Sequence, residues 1–151
     1  HYFKKPCYEE MNTTVIRLGT SFSDVAKHVE SIGDDTYAKH AMQSLASYAV
    51  FFYPKDNEAS ENIKDCRNLQ ARLHLECIKG FAGGLVEHAP PESEHIASLA
   101  FCSSRVLTDE ERQTCFGRLI QYLRVLYPPE KLQEICQTLE RDYKNYCLND
   151  V

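Results

Sequence analysis

Seven cysteines, Cys7, Cys66, Cys77, Cys102, Cys115, Cys136 and Cys147, carry most of the reactive chemistry open to this chain. Thiols pair as disulfides, hold a metal as thiolates, or attack an electrophile, and their spacing separates these fates. Structural zinc sites favour ligand pairs about two to four residues apart. Here Cys66 and Cys77 enclose ten residues, Cys102 and Cys115 twelve, and Cys136 and Cys147 ten, with no close second pair. No metal site and no cofactor is expected from them. The sequence also lacks a G-x-S-x-G elbow, an H-E-x-x-H helix and a C-x-x-C-H haem attachment, so no catalytic residue is assigned from a motif.

The intervals around the cysteines recur. Two residues separate Cys66 from Leu69, seven Leu69 from Cys77, twelve Cys77 from Pro90 and eleven Pro90 from Cys102. The next pass gives four to Leu107, seven to Cys115, twelve to Pro128 and seven to Cys136, and a third gives two to Leu139 and seven to Cys147. The Leu-x7-Cys and Cys-x12-Pro intervals never change. Projected backwards, the frame puts Glu30 and Ala41 in the two cysteine slots ahead of Pro54, and Cys7 in the second slot of a unit whose first half would precede His1. Fixed-period self-similarity is the mark of a repeat architecture.

The invariant stretch has helical periodicity. Ala41, Met42, Leu45 and Ala49 match Cys77, Ile78, Phe81 and Leu85, and Cys115, Phe116, Leu119 and Leu123; Cys7, Tyr8, Met11 and Val15 obey the same rule. Gly33-Asp34-Asp35 and the Thr108-Asp109-Glu110-Glu111 capping box open long helices, and Tyr53-Pro54, Pro90-Pro91 and Pro128-Pro129 close them. Shorter helices follow, from Asp56 to Cys66, Pro91 to Cys102 and Pro129 to Cys136. The expected fold is all-α: a solenoid-like array of about four antiparallel helix hairpins in one domain over 1–151, with units near 7–20 (a half repeat), 21–54, 55–90, 91–128 and 129–151.

In such hairpins the first cysteine ends the short arm and the second lies about two turns into the long arm. The pairs predicted are Cys66–Cys77, Cys102–Cys115 and Cys136–Cys147. The Glu30/Ala41 unit lacks both members rather than one, as pairing requires. Cys7 is left unpaired or intermolecular, and Asn12-Thr13-Thr14 is a candidate glycosylation sequon. Disulfides imply a secreted, periplasmic or extracellular setting. The net charge of −5 supplies no field for nucleic acid. The longest apolar run, Leu45 to Tyr53, is half of what a transmembrane segment needs. Beginning at His1 without a leader, the chain reads as a processed protein or part of a longer one.

Cysteine-bearing hairpins of this length resemble the tetratricopeptide and Sel-like repeats, above all the cysteine-rich secreted bacterial proteins with one disulfide per repeat. After the second cysteine this chain has Ile78-Lys79-Gly80 and Phe116-Gly117-Arg118 where those families place Leu-Gly. The resemblance implies a scaffold that binds a protein, peptide or glycan partner on a curved helical face, generally without catalysis. The function expected is a noncatalytic interaction module or accessory subunit of an extracellular assembly, with self-association through Cys7 or the solenoid end as one form.

The alternative is a small secreted hydrolase acting on cell wall or glycan through Glu87, His88, Glu94 and His95, which flank the Pro90-Pro91 turn. His74, Cys77 and His88 cannot share an ion, because His74 and His88 are about 21 Å apart along one helix. Gly80, Gly83 and Gly84 stand mid-helix, where glycine costs about 1 kcal/mol relative to alanine. Close helix approach accounts for them better than a phosphate loop, which would need a preceding strand. The aromatic run Tyr48, Phe51, Phe52 and Tyr53 is expected to pack in the core or against the next unit.

Overall fold

A computed structural model describes residues 21–52 and 59–148. Cys7, the Asn12 sequon, Pro54 and the side chains of Phe51, Phe52 and Tyr53 lie outside the described set. Within it all regular structure is helical: α1 (Phe22–Glu30), α2 (Asp35–Phe52), α3 (Ala59–Arg67), α4 (Ala71–Glu87), α5 (Glu94–Cys102), α6 (Asp109–Leu126), α7 (Pro129–Gln137) and α8 (Arg141–Leu148). Helices of nine residues alternate with helices of seventeen or eighteen as far as α7.

Local chemistry sets the helix ends. Ser21 Oγ accepts the Asp24 N–H at 3.2 Å to cap α1, and Asp34 Oδ1 accepts the Tyr37 N–H at 3.1 Å to start α2. The α6 capping box is complete: Thr108 Oγ1 accepts the Glu111 N–H at 3.3 Å, and Glu111 Oε2 accepts the Thr108 N–H at 2.7 Å. Helices α4 and α6 stop ahead of Pro90-Pro91 and Pro128-Pro129, and Pro129 opens α7, where its missing N–H costs nothing.

Disulfides join Cys66 to Cys77, Cys102 to Cys115 and Cys136 to Cys147, with Cα separations of 5.5, 5.4 and 5.7 Å. These are the pairs the constant intervals predict. Each runs from the last turn of a nine-residue helix to the seventh residue of the next, and all six cysteines are fully buried. Ala41, the seventh residue of α2, is equally buried. Most of the predicted periodic set lies in the core, with Met42, Leu45, Ile78, Phe81, Phe116, Leu119 and Leu123 all at or below 2% exposure; Leu85 is only partly buried, and the short helices add Val25, Ile63 and Ile135.

Helix α4 is the hub. It packs on α2, α3, α5 and α6, most extensively on α2. Contacts from Asp35 to Arg72, Gln43 to Glu76 and Ser47 to Glu87 advance together in sequence, so α4 runs along α2 in the same direction. The pairs His74 with Glu111 and Glu87 with Tyr122 place α6 on α4 in the same sense.

The mid-helix glycines explain how closely α2 and α4 approach. A Cβ on Gly80 would meet the Gln43 carbonyl and come within 2.6 Å of Ala46 Cβ; one on Gly84 would meet the Ser47 carbonyl and come within 2.6 Å of Ser47 Cα. Backbone lies on backbone there. Gly117 in α6 has nothing within 4 Å of its virtual Cβ. Gly80→Ala and Gly84→Ala are each expected to destabilise the protein by about 1–3 kcal/mol, because overpacking outweighs the gain in helix propensity. Gly117→Ala should instead stabilise by up to about 1 kcal/mol. Urea midpoints of the three variants check both signs, and a Gly80→Ala protein as stable as wild type would remove the close approach.

Candidate binding trough

The junction of α3, α4 and α6 is held by one carboxylate. Glu111, 1% exposed, receives Arg67 in bidentate fashion, Nε to Oε1 at 2.8 Å and Nη2 to Oε2 at 2.6 Å. His74 Nε2 lies 2.7 Å from Oε1, and the Thr108 N–H binds Oε2. Arg67 Nη2 also donates to the Val106 carbonyl at 2.8 Å, tying the α5–α6 turn to α3. Burial alone pushes the Glu111 carboxyl up, but Arg67, the Thr108 amide and His74 outweigh it and hold it at about 2.

Across α2, α4 and α6 the surface sinks into three adjoining depressions. The first, of about 410 Å³, lies between α2 and the far half of α4, with Ser47, Tyr48, Glu87, His88 and Tyr122 on its walls. It shares Gln43, Lys79 and Arg118 with a second, of about 290 Å³, at the α4–α6 junction. That one shares Gln113 and Gly117 with a third, of about 630 Å³, between α6 and α8, where Arg112, Asp142, Tyr143 and Tyr146 stand. Shared lining residues set the three depressions side by side, in a row across four helices that is called the trough below. Packed helices lie about 8–10 Å apart, so the part across α2, α4 and α6 alone measures about 16–20 Å, the span of roughly five extended residues.

Hydrogen bonds preset the walls. Glu76 accepts from Gln43 and, at 3.0 Å, from Lys79. Glu87 accepts from Ser47 Oγ at 2.7 Å and from the Tyr122 hydroxyl. Burial, then Glu87, pushes the Tyr122 phenol up to about 12, so it remains a donor at neutral pH. The Arg118 guanidinium lies 4.7 Å from the centroid of the Tyr122 ring. That ring covers Gly83, whose virtual Cβ would be 3.0 Å from it.

The residues of the hydrolase alternative are divided between two clusters. Glu87 and His88 line the trough, with His88 and Tyr48 ring centroids 6.0 Å apart. Glu94 and His95 both meet the Tyr127 hydroxyl, His95 Nδ1 at 3.2 Å. Tyr127 hydrogen bonding holds Glu94 low, and burial, then Lys131, pushes His95 down. No group of three His, Cys, Asp or Glu side chains among the described residues could hold a metal ion. Sequence reasoning took Glu111 only as a capping residue and did not single out Gln43, Gln113, Arg118 or Tyr122; nothing in their spacing distinguishes them from a solvated helix face.

No protein-family model, curated protein or solved structure matches this chain.

Because the Glu111 carboxyl falls from about 4.5 in the unfolded chain to about 2 in the folded one, it contributes stability above pH 4.5 that is lost as pH falls toward 2. The full contribution is about 3 kcal/mol. Glu111→Gln should cost about 2–4 kcal/mol at neutral pH, and its deficit against wild type should shrink by about 2–3 kcal/mol as pH falls from 6 to 2.5. Urea midpoints across that range check it; a pH-independent deficit would show that the charge is not the stabilising element.

Proposed function

We propose that this chain is a noncatalytic interaction module of an oxidising, extracellular or periplasmic compartment, and that it holds a partner polypeptide in extended form along the trough. The single observation that carries this reading is the row of three depressions, adjoining through shared lining residues, from α2 to α8. A pocket for a small molecule is compact and mostly apolar. A row of depressions that crosses the length of at least about five extended residues, walled by amides, hydroxyls, tyrosines and charges of both signs, suits main-chain and side-chain recognition of a peptide instead.

A stacked-hairpin solenoid is the architecture that supports such a surface. The same-sense runs of α2 on α4 and α4 on α6, at sequence separations of 33 to 40 residues, agree with stacked units. The three disulfides, and the absence among described residues of any helix long and apolar enough to cross a membrane, agree with the compartment. Solenoids present extended faces of this kind to partners.

Selection of capped octapeptides from a random synthetic library on the immobilised, oxidised protein tests the reading. Hydrogen-exchange protection by the selected peptides is expected on trough-lining segments of α2, α4 and α6. Peptides that protect only α1, α3, α5 or α7, or a library that yields no binder, would contradict it.

A further inference from the structure

Resting on that reading, we propose that the α4–α6 junction of the trough is a carboxylate subsite that takes one acidic side chain of the bound polypeptide. The depression there is lined by Gln43, Lys79, Gln113, Thr114, Arg118 and Gln121 around the bare backbone of Gly117. Every one of those side chains can donate a hydrogen bond, two are cationic, and none is a carboxylate, although Gln43 and Lys79 each give one donor to Glu76 beside them. This stands out in a chain whose net charge is −5.

Arg118 supplies the charge. Its Nη1 donates to Gln121 Oε1 at 3.4 Å and its Nη2 to the Tyr122 hydroxyl at 3.3 Å, both long bonds to neutral groups. Its Nε, like those of Arg112 and Arg124 on the same helix, is buried without a hydrogen-bond partner, and it makes no ion pair among the described residues. Arg67 and Arg72, by contrast, each pair with a carboxylate. Lys79 is already shared with Glu76. Arg118 thus has no direct carboxylate partner and reaches Glu87 only through the Tyr122 hydroxyl, which leaves at most one charge to be matched, as by a monoanion rather than a phosphate. A planar guanidinium flanked by amide donors fits the two oxygens of a carboxylate. Tyr122, bonded to Glu87, lies under the guanidinium and limits its movement.

The test uses octapeptides selected on the oxidised protein whose exchange footprint lies in the trough. They are expected to share an acidic residue, and replacing it by its amide should weaken binding at least tenfold. Against Arg118→Gln, the acidic and amide forms should bind within twofold of each other, while the variant's circular dichroism matches wild type. Because the acid-to-amide change is made in the peptide, a fold defect in the variant cannot mimic the first result. Trough-binding peptides with no acidic preference, or an acid-to-amide loss undiminished in Arg118→Gln, would overturn the subsite and leave the peptide-binding reading intact. Absence of any trough-binding peptide would overturn both.

Discussion

The covalent tie from the end of each short helix to the seventh residue of the next is the constraint on which the rest of this structure depends. A nine-residue helix is too short to persist alone in water. Fixing its last turn to the second turn of its neighbour brings their apolar faces together at a set height. Cys66–Cys77 does so for α3 and α4, Cys102–Cys115 for α5 and α6, and Cys136–Cys147 for α7 and α8. The long helices α2, α4 and α6 lie along one another, and the trough is the surface they leave between them.

The pair without a cystine shows what must replace one. At the end of α1 stands Glu30, which reaches past α2 to accept the Gln70 N–H at 2.7 Å, the start of α4. Arg72 answers from α4, donating to the Glu30 carbonyl at 2.9 Å and the Ile32 carbonyl at 3.1 Å and pairing with Asp35. Gly80 and Gly84 add backbone contact along α2. Cohesion between α1–α2 and the rest thus rests on the interface with α4 and not on a bond inside the pair. In the stapled part, Glu111 serves the same end, since a single carboxylate collects Arg67 from α3 and His74 from α4.

How much of this could be read beforehand follows the range of the interactions. The disulfide pairs, the capping box at Thr108 and the proline stops are local, within about a dozen residues, and each leaves a fixed interval in the sequence. The glycines were legible as a close approach because their helix-propensity cost needs an offsetting gain, although their partners Gln43 and Ser47 were not. In the sequence Glu111 is legible only as half of a cap; its other partners lie 44 and 37 residues away, where spacing says nothing. The trough was invisible for the same reason. Gln43, Lys79, Gln113 and Arg118 are ordinary surface residues until stacking brings them to one junction. Glu87, His88, Glu94 and His95 are close in sequence, yet the structure divides them between the trough and Tyr127.

The most direct test of this account compares the oxidised protein with the same chain held reduced. Three closed loops at on the order of 3 kcal/mol each rival the whole stability of a typical domain, about 5–15 kcal/mol. Circular dichroism at 222 nm and a urea titration at 25 °C should show cooperative unfolding of the oxidised chain. The reduced chain should have lost most of its helix before denaturant is added. A reduced chain that keeps its helical signal and unfolds at a midpoint close to that of the oxidised form would contradict the account, placing the organising force in the helix packing alone.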